Sequence, residues 1–422
     1  MNPPHPKLAQ DPYAPLLSID GLEVNFRTAE GTVNAVRGIS LSLQPGEVLG
    51  IVGESGSGKS VTAMATMGLL PRSASVKGSV RFRGEELLHR SERALMPFRG
   101  KAISMIFQDP MTSLNPVYSV GWQIVEAIQA HQEVSKEEAL KIAIELLRKV
   151  GIPNPEDRVS NFPHEFSGGM RQRVVIAIAI ANNPEVILAD EPTTALDVTV
   201  QAQVLEALRA ALSSTHAALL LITHDLGVIA GIADRVLVMY AGRPVEIGTV
   251  DEIFYDPSMP YTLGLLGSLP RVDTDGTERL RPIPGSPPSM IGEPIGCPFA
   301  PRCPLAADIC RETEPQLTPV GTSQSGHLAA CHFAKDAHDR GASLFVATSL
   351  DSDAMAGVEP GSPPDSGLSF GQGSDETRAP GPGNYVIAEG FSPAGPGGYE
   401  TASDTKDGTG TSGSPLDETD TP

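Results

Sequence analysis

The sequence predicts a three-layer α/β fold carrying a helical insertion. Three observations point there: apolar strands alternate with helical segments, a glycine-rich loop joins one strand to a helix, and another strand ends in two carboxylates. From Leu17 to Val52 the segments "LSIDGLEVNF", "GISLSL" and "EVLGIV" are β-rich and divided by Gly and Pro-Gly turns. The loop that follows leads into an apolar helical run, "SVTAMATMGLL", and then a strand pair, "GSVRFRG" and "AISMIF". Next comes a helical region, "VGWQIVEAIQAH" and "SKEEALKIAIELLRKVG". Its second segment opens with Ser135 and Glu138 in capping-box spacing and closes on Gly151. "EVILAD" and "AALLLIT" are continuous apolar runs bounded by helices, the pattern of buried parallel strands. The helical insertion falls at roughly 109 to 165, and a Pro-rich bridge, "PIPGSPPSM" (282–290), separates this body from a cysteine-bearing segment.

Composition bounds the rest. The 422 residues, 40% of them hydrophobic, suffice for one sizeable globular body with accessories. The longest apolar runs, "VVIAIAIA" (174–181) and "AALLLI" (217–222), fall short of the roughly 18–20 residues a bilayer span needs. The start, "MNPPHPKLAQDPYAP", has no basic flank followed by an apolar stretch, so the expectation is a cytoplasmic chain in a reducing compartment, without disulfides. A formal charge of −20 with no basic stripe argues against a nucleic-acid surface. Residues 351–422 carry 13 acidic and 2 basic side chains among Gly, Pro, Ser and Thr. That is too little apolar surface to offset chain entropy, and the segment reads as a disordered acidic tail.

"GESGSGKS" comprises Gly53, Glu54, Ser55, Gly56, Ser57, Gly58, Lys59 and Ser60, between a strand and a helix as a P-loop requires. The glycines let successive N–H groups turn inward toward phosphate oxygens. Lys59 supplies charge at the β/γ-phosphates, Ser60 a hydroxyl for Mg2+, and the helix N-terminus a favourable dipole. "VILADE" completes the site: Asp190 suits the metal and Glu191 the attacking water, because both stand at the carboxyl end of an apolar strand, where α/β folds bind ligands. His224 in "LLLITHD" follows another buried strand at the same edge, a candidate contact to the γ-phosphate or water.

"FSGGMRQR" (166–173) closely resembles the signature motif of ABC transporter ATPases, and it stands in the expected order with Gly53–Ser60, Gln108 in "MIFQDP", Asp190–Glu191, Asp197 in "ALD" and His224. The resemblance implies a P-loop NTPase core of the RecA-like kind, with an antiparallel β subdomain and a helical subdomain at about 109–180, within a nucleotide-binding domain at 16–270. It implies that Ser167, Gly168, Gly169 and Gln172 act on ATP held by a second ATPase subunit, that Asp197 lies in the D-loop, and that Gln108 shares Mg2+ with Ser60 and Asp190. Glu191 and His224 become the catalytic pair, and Phe26 matches the aromatic that stacks on adenine, although a strand Phe is equally a core residue.

"FQDPMTSLNPVYSVGWQI", "PHEFSGGMRQRVVIAIAIA" and "FYDPSMPYTLGLLGSLPR" look like the ATPase subunits of oligopeptide, dipeptide and nickel importers, a resemblance covering about residues 16 to 333. Where those importers show His-Pro-Tyr-Thr, this chain has Met259-Pro260-Tyr261-Thr262. The implied partners are a second ABC ATPase subunit, in a heterodimer, two permease subunits and an extracytoplasmic solute-binding protein, with the chain at the cytoplasmic face of the membrane. The alternatives are a related solute such as nickel, or a non-transport ABC-type regulatory ATPase.

All four cysteines, Cys297, Cys303, Cys310 and Cys331, lie in 35 residues with spacing C-x5-C-x6-C-x20-C, beside His327 and His332. Zinc sites generally use a tighter knuckle, whereas a cluster held by four thiolates suits looser spacing; buried structural cysteines are the bland alternative. The C-terminal extensions of peptide importers resemble this segment, down to "GCPFAPRC" and "HLAACHF", and some hold a [4Fe–4S] cluster there. The resemblance therefore implies such a cluster on these four cysteines, with Zn2+ as the alternative. The expected layout is a flexible 1–15, the nucleotide-binding domain, a Pro- and Cys-rich region at 271–334, and the acidic tail at 335–422.

Overall fold

In a computed structural model the described residues are 14–194, 196–268, 283–321 and 326–345, all within one compact unit, residues 1–358. The N-terminal stretch to residue 13 and the acidic tail from 346 lie outside the described residues, as do residues 269–282.

Two sheets build the body. The first is antiparallel, in the order β2-β1-β4-β5: β1 (Leu17–Thr28), β2 (Gly31–Leu43), β4 (Ala74–Phe82) and β5 (Glu85–Glu86). The second has eight strands, β11-β12-β10-β9-β3-β8-β7-β6. Its parallel part comprises β6 (Ile103–Ile106), β7 (Val186–Asp190), β8 (Ala218–Thr223), β3 (Val48–Val52) and β9 (Arg235–Tyr240). "GSVRFRG" and "AISMIF" thus join different sheets, β4 the antiparallel one and β6 the parallel one.

Every residue of β3, β7 and β8 is buried, which explains their unbroken apolar runs: each is covered on both faces. One core, around Leu49, Ile51, Leu188 and Leu220, joins the mixed sheet to the antiparallel one. The other packs the opposite sheet face against helices Val120–Gln129, Lys136–Lys149, Gly168–Ile180 and Val198–Thr215 through residues such as Ile124, Leu147, Val174 and Leu208. Ser135 caps the second of these, its Oγ accepting from the Glu138 amide at 3.2 Å, and Gly151 after its end takes φ +72°.

The cysteine-bearing region does not stand apart from this body. The strand β10 (Arg243–Thr249) turns back antiparallel on β9, β12 (Leu328–Ala329) pairs with β10, and β11 (Thr318–Pro319) closes the edge. A free sheet edge is a row of unpaired amides, and the C-terminal segment covers it. The expected boundary at 335 moves as well: Ala334–Arg340 is a helix and Gly341–Phe345 a 3-10 turn, with Ala337 and Leu344 buried against Leu263.

Candidate functional site

Register decides the geometry. In the parallel sheet Val52 stands beside Thr223 and Val238, and Asp190 beside Ile222, so β3, β7 and β8 end at one edge. Gly53, Glu191 and His224, each just past its strand, emerge together there. The loop after β3 is tight: a Cβ on Gly53 would come 2.2 Å from the Met239 carbonyl oxygen, and Gly58, at φ +98°, has the Ala35 carbonyl oxygen 2.3 Å from where a Cβ would stand. Only glycine allows that approach.

Lys59, 4% exposed, donates from Nζ to the carbonyls of Gly53 (2.8 Å) and Glu54 (2.9 Å). Burial pushes its pKa down, against the raising influence of the Glu191, Asp190 and Glu54 charges. Ser60 Oγ donates to Asp190 Oδ1 at 2.8 Å. Burial raises the Asp190 pKa and the Glu191 charge adds to it, while the Ser60 hydrogen bond and Lys59 oppose. Two oxygen donors converging at the carboxyl end of a buried strand are the chemistry a hard cation such as Mg2+ selects, so these residues fit the metal.

Glu191 is the hub. It takes φ +45°, a left-handed conformation held by its amide donating to the Ile222 carbonyl at 2.8 Å. Its Oε2 accepts from Gln108 Nε2 (2.9 Å) and Thr194 Oγ1 (2.8 Å), and His224 Nδ1 lies 3.4 Å away. A cleft of about 680 Å³ opens over this network, lined by Phe26, Ser55, Gly56, Gly58, Lys59, Ser60, Gln108, Glu191 and His224. Asp190 lies buried beneath it. Thr194 was missed by motif reading, because a threonine in a turn carries no signal until the fold aims it.

The signature residues lie elsewhere. Ser167 caps the Gly168–Ile180 helix, accepting from the Met170 amide at 3.3 Å, and with Gly168 it is exposed. Gly169 is buried where a Cβ would come 2.1 Å from Val200 Cγ1. Gln172, expected beside them on a partner's nucleotide, is 1% exposed on the inner side of the helix, and neither amide atom has a hydrogen-bond partner. Its amide thus lies buried, apart from the exposed helix end at Ser167 and Gly168. Asp197 caps the next helix through the Val200 amide at 3.0 Å.

The four cysteines are free thiols that line one small cavity together with Met259, Phe299 and Phe333. Burial pushes the Cys331 thiol up to about 12 and Cys303 up to about 11, with the neighbouring cysteines adding to both shifts. Among the described residues no three His, Cys, Asp or Glu side chains are grouped so that they could hold a metal ion. The expected iron–sulfur or zinc centre is therefore not seen as a formed ligand set; what the fold provides is four thiols on one cavity. The flanking histidines have other partners: His327 Nε2 meets Glu246 Oε1 at 2.9 Å, and His332, which also lines the cavity, meets the Thr313 carbonyl through Nε2 at 2.9 Å.

Residues 36–194 match the profile described as ABC transporter, and residues 245–310 the one described as oligopeptide/dipeptide transporter, C-terminal region. The fold resembles a bacterial ABC transporter cassette solved as a dimer, with TM-score 0.50 and 26% identity over 56% of this chain and 98% of that one. The oligopeptide transport ATP-binding protein OppD of Salmonella typhimurium is 50% identical over 76% of this chain and 95% of its own, and the dipeptide transport ATP-binding protein DppD of Bacillus subtilis 53% identical over 72% and 91%. OppD of Mycobacterium tuberculosis is 59% identical over 75% of this chain, which spans only 52% of that relative's length. This chain belongs to the oligopeptide and dipeptide transport ATP-binding proteins of the ABC transporter family. Among the described residues no helix is long and apolar enough to cross a membrane.

Proposed function

We propose that this chain binds and hydrolyses MgATP to power an importer of peptides, as a peripheral subunit at the cytoplasmic face of the membrane. The observation that carries the reading is the convergence of Lys59, Ser60, Gln108, Glu191 and His224 on one cleft, with Phe26 among its lining residues. Lys59 and the loop amides hold the phosphates, Ser60, Gln108 and Asp190 serve Mg2+, and Phe26 offers a face to adenine. Bound Mg2+ would offset negative charge developing on the β- and γ-oxygens. Glu191, oriented by Gln108 and Thr194, takes a proton from the attacking water, and His224 lies close enough to contact the same water or the γ-phosphate. As the new O–P bond forms, the bond to the β-phosphate oxygen breaks, leaving ADP and phosphate.

The partners proposed are a second ATPase subunit in a heterodimer, to which Ser167 and Gly168 present their exposed helix end, two permease subunits and an extracytoplasmic solute-binding protein. A permease contact is supported by the exposed apolar side chains Phe107, Met111, Val117 and Phe162 and by the exposed Tyr118 and Trp122, whose rings stack 4.0 Å apart. For the cysteines the reading is a [4Fe–4S] cluster, with Zn2+ as the alternative; four free thiols around one cavity support it.

In the assembled complex Glu191→Gln should keep MgATP bound while hydrolysis falls by about 10² or more; near-normal turnover contradicts the role. Reconstituted vesicles that accumulate Ni2+ and no labelled peptide would favour the nickel reading. Anaerobically purified protein without iron or absorbance near 400 nm sinks the cluster, and stoichiometric zinc would replace it.

A further inference from the structure

The cysteine segment reaches the phosphate loop through one side chain. Arg302, between Cys297 and Cys303 in sequence, donates from Nη1 to Glu54 Oε2 at 2.8 Å and from Nη2 to Glu54 Oε1 at 2.9 Å. Its side chain is only 5% exposed and is held on its other sides: Nε donates to the Pro284 carbonyl (2.9 Å), Nη1 to Tyr240 Oη (3.2 Å), and the Tyr240 and Phe299 rings each lie 5.9 Å from its guanidinium carbon. The Glu54 amide donates to Tyr261 Oη at 2.8 Å, and the fully buried Tyr261 ring packs on Tyr240 and Phe299 at 4.5 and 5.5 Å. Apart from Glu54 itself, every one of these groups belongs to residues 240–302, outside the nucleotide motifs.

Glu54 brings a carboxylate into a loop that must accept a polyanion, and its charge is near enough to act on Lys59. Left alone, that charge opposes the incoming phosphates; a bidentate pair with a buried guanidinium cancels it and fixes the direction in which the loop leaves β3. We propose that Arg302 is a positioning residue for nucleotide binding, which neutralises Glu54 and pins the start of the P-loop. Because Arg302 ends the turn Ala300–Arg302 that its stacking partner Phe299 immediately precedes, and adjoins Cys303, the packing of the cysteine segment sets where the guanidinium stands. The affinity for nucleotide is thereby tied to the integrity of that segment. This inference rests on reading the cleft as an ATP site.

The test is calorimetric titration of the full-length chain with MgAMP-PNP, a non-hydrolysable ATP analogue, for Arg302→Ala, Arg302→Lys, Glu54→Gln and the double variants. Arg302→Ala should weaken binding roughly tenfold and Arg302→Lys less, because lysine restores charge without the second hydrogen bond. In the Glu54→Gln background either Arg302 substitution should change affinity less than about twofold, since its target is gone. A merely structural loss would persist in that background, and such persistence overturns the proposal, as does unchanged affinity in both Arg302 variants. If Arg302→Ala loses its far-UV circular dichroism, Arg302→Lys and its pairing with Glu54→Gln decide by the same criteria. A wild-type chain that fails to bind MgAMP-PNP removes the ATP-site reading itself, whereas normal wild-type binding with unaffected variants removes only the role of Arg302.

Discussion

Replacing His327 by Leu removes the cation from a carboxylate that has none of its surface exposed. His327 is 4% exposed and Glu246 0%, and their contact at 2.9 Å joins the loop before β12 to β10, the point where the C-terminal segment docks on the sheet. Glu246 Oε1 would keep the Ser258 amide at 2.6 Å, but Oε2 has no hydrogen-bond partner to compensate. Breaking a buried pair on one side costs about 3–5 kcal/mol, and the surviving amide bond offsets about 1 kcal/mol of it. The expected loss is therefore roughly 3 kcal/mol. His327→Gln, which keeps a donor without charge, should lose about half as much. The assay is urea unfolding followed by circular dichroism, read as the change in midpoint at constant slope.

The same pair predicts a pH dependence. Burial pushes the His327 imidazole down, but its hydrogen bond to Glu246 and the charges of Glu246, Glu252 and Asp256 outweigh it and raise the net value above the ordinary one. A group raised on folding contributes its full stabilisation below its unfolded pKa, about 6.5, and loses it as pH rises through the folded value. The gap between wild type and His327→Gln should thus be widest near pH 6 and shrink toward pH 9. A Leu variant within 0.5 kcal/mol of wild type at about pH 6, or a gap that widens with pH, refutes the reasoning.

Gly58→Ala places a Cβ 2.3 Å from the Ala35 carbonyl at φ +98°, so the phosphate loop must shift; MgATP affinity should fall at least tenfold, roughly, with about 2 kcal/mol of stability, and calorimetry showing wild-type affinity would contradict this. Glu314→Gln removes the charge that Oε2 shares between Arg37 (2.7 Å) and Arg243 (2.9 Å). With a side chain 20% exposed, it should cost about 1 kcal/mol at low salt and less at high salt, and a salt-independent midpoint would count against the ion pairs.

Motifs that depend on local geometry were legible before any coordinates. A P-loop needs glycines between a strand and a helix, and a metal-side carboxylate needs an apolar strand behind it; both requirements fall within a few consecutive residues. Lys59, Ser60, Asp190 and Glu191 could be named for that reason, His224 from its place after another buried strand, and Gln108 only from the family resemblance. Gln172 was misplaced because motif spacing does not say which face of a helix is buried. Thr194 and Tyr261 received no role because a hydroxyl acquires one only when another segment is brought to it.

The C-terminal region shows the division most sharply. Its cysteine clustering and Pro-rich approach are visible in the letters, and they mark the segment as unusual without saying where it rests. Only the fold lays β12 on β10, turns His327 toward Glu246 rather than toward the thiols, and carries Arg302 across 248 positions to Glu54. Sequence alone determined the local chemistry of the phosphate loop and the acidic strand end, because backbone conformation and strand burial are short-range properties. Tertiary structure alone decided which charges neutralise each other, because a buried ion pair depends on distance in space, and residues far apart in the chain carry no sign of their partners.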